Sequence, residues 1–196
     1  MRVFELGRYN IPDEIIDSWI EQIGQNLLPV QERAIKRYRV LDGNSLIISS
    51  PTTSGKTFVG EIAALKGVME KKKVIYLVSL KSLAGEKYLD FRRKYEQFGI
   101  RTVVSSSDHR EYDQVIEDGD FGIAIIVYEK MSQLMVKNPF LLKNTALVII
   151  DEFQEIGDPH RGPGLEITLT KISTSSYRSQ ILGLSPVLGN TETLAR

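Results

Sequence analysis

The stretch Leu46-Ile47-Ile48-Ser49-Ser50-Pro51-Thr52-Thr53-Ser54-Gly55-Lys56-Thr57 contains the pattern that decides the fold. Its apolar start predicts a buried strand, and the apolar periodicity after it predicts a helix from Lys56 onward. Backbone N–H groups of the intervening turn and of the helix N-terminus would converge on one point, which predicts an anion site. Strand, glycine-bearing turn and helix in this order are the setting of a phosphate-binding P-loop.

The last three loop residues suit the chemistry of a bound triphosphate. Gly55 lets the backbone approach the phosphates without a Cβ atom in the way. Lys56 would reach the β- and γ-phosphates, and the Thr57 hydroxyl would hold Mg²⁺. We therefore predict that the chain binds a nucleoside triphosphate. The loop residues expected to contact it are Ser50, Pro51, Thr52, Thr53, Ser54, Gly55, Lys56 and Thr57.

One position departs from the G-x-x-x-x-G-K-[ST] pattern. Ser50 stands where the first Gly belongs. For an isolated match the alternative interpretation is an ordinary polar turn between a strand and a helix. The remaining sequence must therefore supply the context that decides between these two interpretations.

Composition excludes several classes of protein. The 196 residues suit one α/β domain, and Lys plus Arg equals Asp plus Glu at 25 each, so no global basic field favours nucleic acid. The absence of Cys and the presence of only two His argue against disulfides and a zinc centre. No apolar stretch reaches transmembrane length, and Met1-Arg2-Val3-Phe4-Glu5 is not a signal peptide, so we expect a cytoplasmic protein without membrane contact.

Strands and helices are predicted to alternate along the chain. The predicted strands are continuous apolar runs, which is typical of a parallel sheet covered on both faces. We therefore expect an α/β fold with a three-layer, doubly wound, mostly parallel sheet. Ligands of such sheets bind outside the carboxyl ends of the strands. The predicted strands are residues 46–49, 74–78, 100–104, 123–127, 146–150 and 180–184, and the predicted helices are 12–23, 30–39, 56–70, 80–95, 130–136 and 165–174.

Two further features complete a predicted nucleotide site. The apolar run Val148-Ile149-Ile150 ends in Asp151-Glu152, which places two carboxylates at the carboxyl end of a buried strand. Asp151 would hold Mg²⁺, and Glu152 would orient and deprotonate the attacking water. Upstream, Gln31 opens a helix, and its carboxamide can donate to and accept from an adenine edge at once. An isolated acidic pair would more often cap a turn, but here it follows a P-loop.

The order of these motifs resembles a known family. It is similar to the first RecA-like domain of a superfamily 2 DExH helicase, closest to the branch of archaeal repair helicases and exosome-associated RNA helicases. The resemblance covers essentially the whole chain. It rests on Gln31, residues 51–57, Leu80-Lys81-Ser82-Leu83-Ala84-Gly85-Glu86-Lys87-Tyr88, residues 151–154, Asp158-Pro159-His160-Arg161-Gly162 and Gly183-Leu184-Ser185.

The resemblance implies a role for each matching residue. The nucleotide is ATP with Mg²⁺, Gln31 reads adenine, Thr57 and Asp151 hold the metal, and Lys56, Asp151, Glu152 and Gln154 form the catalytic set. Single-stranded or forked nucleic acid is the implied partner, bound mainly through its phosphate backbone. The implied nucleic-acid contacts are Lys81, Ser82, Ser105, Ser106, Tyr128, Lys130, Arg161 and Gly162.

Two departures from the family pattern concern coupling. Gln154 stands where this branch usually has His, and Ser185-Pro186-Val187 stands where Ser-Ala-Thr is usual. Val187 has lost the Thr hydroxyl, and Gln154 can bridge but cannot titrate near neutral pH. We expect hydrolysis chemistry to be intact and its coupling to strand movement to be altered. Neutral exchange between interchangeable groups is the alternative.

The domain organisation follows from the same resemblance. We expect residues 1–196 to be one monomeric RecA-like ATP-binding domain, with Q-motif helices over about residues 1–42 and without the second RecA-like domain that supplies an arginine finger. Such a finger is worth about 10³–10⁵ in rate, so we expect this chain alone to hydrolyse ATP negligibly. The alternatives are a catalytically quiet nucleic-acid-binding or regulatory module and, less well supported, a metabolic P-loop kinase.

Overall fold

The computed structural model describes residues 1–186. Within them, six strands form one sheet: β1 (Leu46–Ser49), β2 (Lys73–Val78), β3 (Thr102–Ser105), β4 (Ile123–Val127), β5 (Thr145–Ile150) and β6 (Gln180–Ser185). The α-helices are α1 (Asp13–Ile23), α2 (Pro29–Lys36), α3 (Lys56–Met69), α4 (Lys81–Tyr95), α5 (Asp113–Asp118), α6 (Tyr128–Lys137) and α7 (Gly162–Ser173). Short 3-10 helices span Val3–Tyr9, Val40–Asp42, Thr52–Ser54, Glu96–Phe98 and Phe153–Gly157.

The sheet is parallel throughout the described residues, in the order β1-β6-β5-β2-β4-β3. Alternate residues of a strand enter different cores: Val74 and Tyr76 of β2 belong to the core that includes α1, α3 and α4, whereas Ile75 and Leu77 belong to the core that includes α5, α6 and α7. Both faces of β2 are therefore buried, which explains its continuous apolar run. The predicted three-layer, doubly wound sheet is confirmed.

The predicted elements differ from the observed ones mainly at their ends. The helix predicted over residues 130–136 begins two residues earlier, at Tyr128, directly after β4. The six-residue helix α5 and the five 3-10 helices of the described residues, of which Val3–Tyr9 is the longest, were not predicted. All are too short to show a clear apolar period, and α5 ends at Gly119, which adopts a positive φ of 73°.

A buried polar network fixes α1 against α3 and α4. The indole N–H of Trp19 donates to the Tyr95 hydroxyl at 2.8 Å, and that hydroxyl donates to Glu61. Lys94 contacts the same Glu61 carboxylate at 3.3 Å. Burial raises the pKa of Tyr95, so its phenol remains a donor near neutral pH. Because Glu61 lies on α3, the network also fixes the helix that begins at Lys56.

None of the helices described within residues 1–186 is long and apolar enough to cross a membrane.

Candidate functional site

The loop between β1 and α3 is built around a glycine that no other residue could replace without strain. Gly55 has a φ of 79°, a conformation that side chains rarely adopt. A Cβ atom there would also lie 2.4 Å from Gln31 Nε2 and 2.8 Å from Leu28 Cδ1. Glycine is therefore required at position 55 for two reasons: the positive φ of the backbone and the close packing of Gln31 and Leu28.

The Gln31 side chain is only 2% exposed, and it binds the backbone of the loop. Its Nε2 donates to the Gly55 carbonyl at 3.0 Å, and its Oε1 accepts from the Leu28 amide at 2.8 Å. Gln31 therefore lies against the phosphate loop. Each amide atom retains one further hydrogen-bonding position, so the adenine contact stays a prediction.

Lys56 is a largely buried residue without an ion-pair partner among residues 1–186. Its side chain begins α3, is 5% exposed, and makes no hydrogen bond or ion pair with any residue in the described range 1–186. A lysine without a protein counter-charge suits an anionic ligand. Bound phosphate oxygens would supply such a counter-charge. The loop therefore fits a phosphate ligand.

Ser50, the residue in place of the first Gly, closes the loop on itself. Its Oγ lies 2.6 Å from the Oγ of Ser54, and Ser54 Oγ also lies 2.6 Å from the Pro51 carbonyl oxygen. The departure at position 50 thus adds a contact within the loop. Pro51, Thr52 and Thr53 are exposed along the same turn.

The carboxylate of Asp151 lies directly after β5 and is held by three neighbours. Its Oδ2 accepts from the Tyr76 hydroxyl at 2.9 Å and lies 3.7 Å from Lys87 Nζ, and its Oδ1 accepts from the Glu152 amide at 3.1 Å. Burial raises the pKa of Tyr76 well above its usual value, so the phenol stays protonated and donates. Asp151 is thereby fixed in orientation.

A hydrogen-bonded chain joins this acidic pair to the phosphate loop. Gln154 donates through Nε2 to Glu152, and its Oε1 accepts from the Ser185 hydroxyl at 3.1 Å. The Ser185 carbonyl in turn accepts from the Ser50 amide at 3.1 Å. Gln154 therefore bridges in the manner expected of it. Val187, the other residue of the coupling hypothesis, lies outside the described residues.

The donors near the carboxylates suit a magnesium ion that shares a bound nucleotide. Within residues 1–186 no group of three or more His, Cys, Asp or Glu side chains could hold a metal alone. Mg²⁺ commonly binds through one or two protein oxygens together with phosphates and water. The hydroxyl of Thr57 and the carboxylate of Asp151 are such oxygens, so the residues fit this ion.

Three of the predicted nucleic-acid contacts line one cleft of about 370 Å³. Lys81, Lys130 and Arg161 meet there, although they come from three different helix starts. Each cation has a carboxylate partner: Lys81–Asp108 at 3.0 Å, Lys130–Asp113 at 2.5 Å and Arg161–Glu155 at 3.4 Å. Ser82 is exposed next to Lys81 on the first turn of α4.

The other four predicted contact residues are buried in this structure, so their contact with nucleic acid stays a prediction. Ser105 donates to Asp113 at 2.6 Å, and Ser106 Oγ accepts from two backbone amides of its own loop. Tyr128 is 1% exposed, and its hydroxyl donates to the Asp151 carbonyl. Gly162 packs so tightly that a Cβ atom would lie 2.4 Å from the Ile156 carbonyl oxygen.

Sequence reasoning did not assign roles to three residues that the structure brings to these sites. Tyr76 and Lys87 contact Asp151, and Arg110 lines the cleft without an ion-pair partner in the described part of the chain. Tyr76 carried a usable signal, since it is a polar side chain inside an otherwise apolar strand. Lys87 and Arg110 carried none, because charged residues on helices and loops are usually solvated.

The family follows from comparison of the whole sequence. A family model described as "DEAD/DEAH box helicase" matches residues 28–194, which is most of the chain. The chain therefore belongs to the DEAD/DEAH box helicase family, and membership implies that it binds ATP.

The similar proteins include several named ATP-dependent DNA helicase Hel308. That of Methanococcus vannielii is 37% identical over 183 residues, which cover 90% of this chain and 24% of that protein. That of Methanocella arvoryzae is 36% identical over 100% of this chain and 26% of its own length. The Pyrococcus abyssi protein is 33% identical over 97% of this chain and 26% of its own length. The resemblance to the archaeal repair helicase branch is confirmed, and the chain spans about a quarter of these relatives.

We predict that Gly55→Ala destabilises the chain by about 1–3 kcal/mol, because Ala must adopt a positive φ and displace Gln31. The measurement is the free energy of unfolding in urea. Gly85→Ala is the matched control: Gly85 lies within α4 with open space around it, so Ala there should stabilise by about 0.5–1 kcal/mol. Equal effects of the two substitutions would contradict the account of the loop.

Proposed function

We propose that this chain is the ATP-binding domain of an ATP-dependent DNA helicase motor. The observation that carries the proposal is the buried, unpartnered Lys56, held in a glycine loop whose backbone is bonded through Ser185 and Gln154 to the acidic pair. DNA rather than RNA is favoured because the similar proteins are named DNA helicases. The sequence alone left that choice open.

Each residue of the site has a chemical task in this proposal. Lys56 neutralises the β- and γ-phosphates, and Thr57 and Asp151 hold Mg²⁺, which when bound offsets the charge that develops on the phosphates. Glu152 orients the attacking water and accepts its proton. Gln154 transmits the state of Glu152 to Ser185, at the end of the strand next to β1.

The cleft lined by Lys81, Lys130 and Arg161 is the proposed track for a DNA backbone. Lysine and arginine side chains can donate hydrogen bonds to phosphate oxygens. Such contacts position a strand without reading its base sequence. The carboxylates that pair with these cations hold them in place until a phosphate competes. Arg110 also lines the cleft, and a phosphate could bind it without displacing a carboxylate partner among the described residues.

Hydrolysis and unwinding are proposed to need a second RecA-like domain. In this proposal the chain alone binds Mg·ATP weakly, is monomeric, and turns ATP over negligibly. An arginine supplied from a second domain would close the site and stabilise the transferred phosphoryl group. The alternative of a quiet regulatory module would apply if a longer protein carrying this domain bound nucleotide without hydrolysing it in the presence of single strands.

We predict that Lys56→Ala weakens binding of a non-hydrolysable ATP analogue by roughly 10- to 100-fold, because a charge-assisted contact to phosphate is lost. The measurement is isothermal titration calorimetry with Mg²⁺ present. Lys66→Ala is the control, since Lys66 lies on the same helix about 15 Å further along its axis and pairs with Glu70. A wild-type chain that binds no nucleotide, or equal losses in the two variants, would refute the proposed site.

We also predict that Lys81→Met weakens binding of single-stranded DNA and lowers the slope of log affinity against log salt by roughly 1, because one phosphate contact is lost. Fluorescence anisotropy at several salt concentrations measures both quantities. Lys137→Met should change neither, since Lys137 lies on α6 but outside the cleft. An unchanged slope for Lys81→Met would place the strand elsewhere.

A further inference from the structure

We propose that Lys87 is the counter-cation of Asp151 while no metal is bound, and that arrival of Mg²⁺ displaces it. Lys87 is then a positioning residue that sets how strongly the site binds its metal. The inference rests on the proposed function, in which Asp151 holds Mg²⁺.

The geometry assigns different tasks to the two side chains at Asp151 Oδ2. Tyr76 donates a hydrogen bond of 2.9 Å, which fixes the carboxylate. Lys87 Nζ lies 3.7 Å from the same oxygen, beyond hydrogen-bond distance but close enough for a strong charge interaction. The ammonium also lies 5.1 Å from the centroid of the Tyr76 ring, so the ring face holds it beside the carboxylate.

Partial burial makes this pair more than a surface contact. The side chain of Asp151 is 16% exposed and that of Lys87 is 20% exposed, so water and salt screen their attraction only in part. Within residues 1–186, Asp151 is the only ion-pair partner of Lys87. Asp90, the acidic residue one helical turn further along α4, is already paired with Lys94 at 2.9 Å and with Arg93 at 3.1 Å.

The surroundings leave Lys87 room to move away. Lys87, Asp151 and Glu152 line one cavity of about 590 Å³, together with the exposed side of α4. A divalent cation at Asp151 would replace the charge that Lys87 supplies and repel the ammonium into that space. The Tyr76 hydrogen bond is neutral and need not break. Lys87 therefore lowers the affinity of the site for the metal and keeps Asp151 paired when the metal is absent.

The first test measures binding of Mn²⁺, as a substitute for Mg²⁺, to the ADP-saturated chain by the electron paramagnetic resonance signal of free Mn²⁺. We expect Lys87→Met to tighten Mn²⁺ binding by roughly fivefold, because a like charge near the metal is removed. Lys87→Arg keeps the charge and should stay within about twofold of wild type. Arg92→Met is the control for net charge, since Arg92 lies on the same helix, pairs with Glu96 and does not line the cavity.

The outcomes separate this inference from the proposed function. If Lys87→Met binds Mn²⁺ no more tightly than wild type while both bind ADP, Lys87 has no such role and the nucleotide site stands. If wild type binds Mn²⁺ no better than Asp151→Asn, the proposed metal site itself fails. Tighter binding in Lys87→Met and Arg92→Met alike would show a general charge effect and would also overturn the inference.

A second measurement uses the wild-type chain, so it does not depend on whether Lys87→Met folds. The side-chain ¹⁵N signal of Lys87 in the wild-type chain can be assigned by its loss in Lys87→Arg. With ADP present, we expect added Mg²⁺ to shift this signal, because the ammonium leaves the carboxylate and the Tyr76 ring. A signal that Mg²⁺ leaves unchanged, under conditions where Mg²⁺ binds, would overturn the inference.

Discussion

The position of β6 between β1 and β5 is the constraint on which the site depends. β1 leads into the phosphate loop and β5 into Asp151, and parallel pairing on both sides fixes the register of all three strands. At the carboxyl end of β6, Ser185 bonds the loop through its backbone and Gln154 through its hydroxyl. The sheet therefore fixes the distance between the phosphate loop and the two carboxylates.

This arrangement gives a physical path for coupling. The amide of Gln154 links Glu152 to Ser185 directly, because it donates on one side and accepts on the other. An amide makes both bonds without changing its protonation state, whereas a histidine in that place could titrate. Glu152 itself has a φ of 53°, so the turn that presents it is held in a conformation that a non-glycine residue rarely adopts.

The sequence was sufficient to predict the architecture of the sheet and the position of the phosphate loop. Uninterrupted apolar strands and Gly55-Lys56-Thr57 each depend on local pattern, so the parallel sheet and the loop could be predicted. Side-chain direction could not be predicted in the same way. Lys81 and Tyr128 both follow strand ends, yet the first is exposed in the cleft and the second is buried against the Asp151 backbone. The sequence pattern indicates which residues lie at the carboxyl edge of the sheet, but tertiary packing decides which of their side chains are exposed to solvent.

The central claim is that the phosphate loop and the acidic pair form one nucleotide–metal site. The most direct test is a crystal structure of the chain with ADP and Mn²⁺, in which anomalous scattering locates the metal. The account predicts phosphate oxygens against Lys56 and a metal peak between Thr57 and Asp151, bound to Asp151 directly or through one water. A nucleotide bound away from the loop, or a metal peak remote from Asp151, would contradict it.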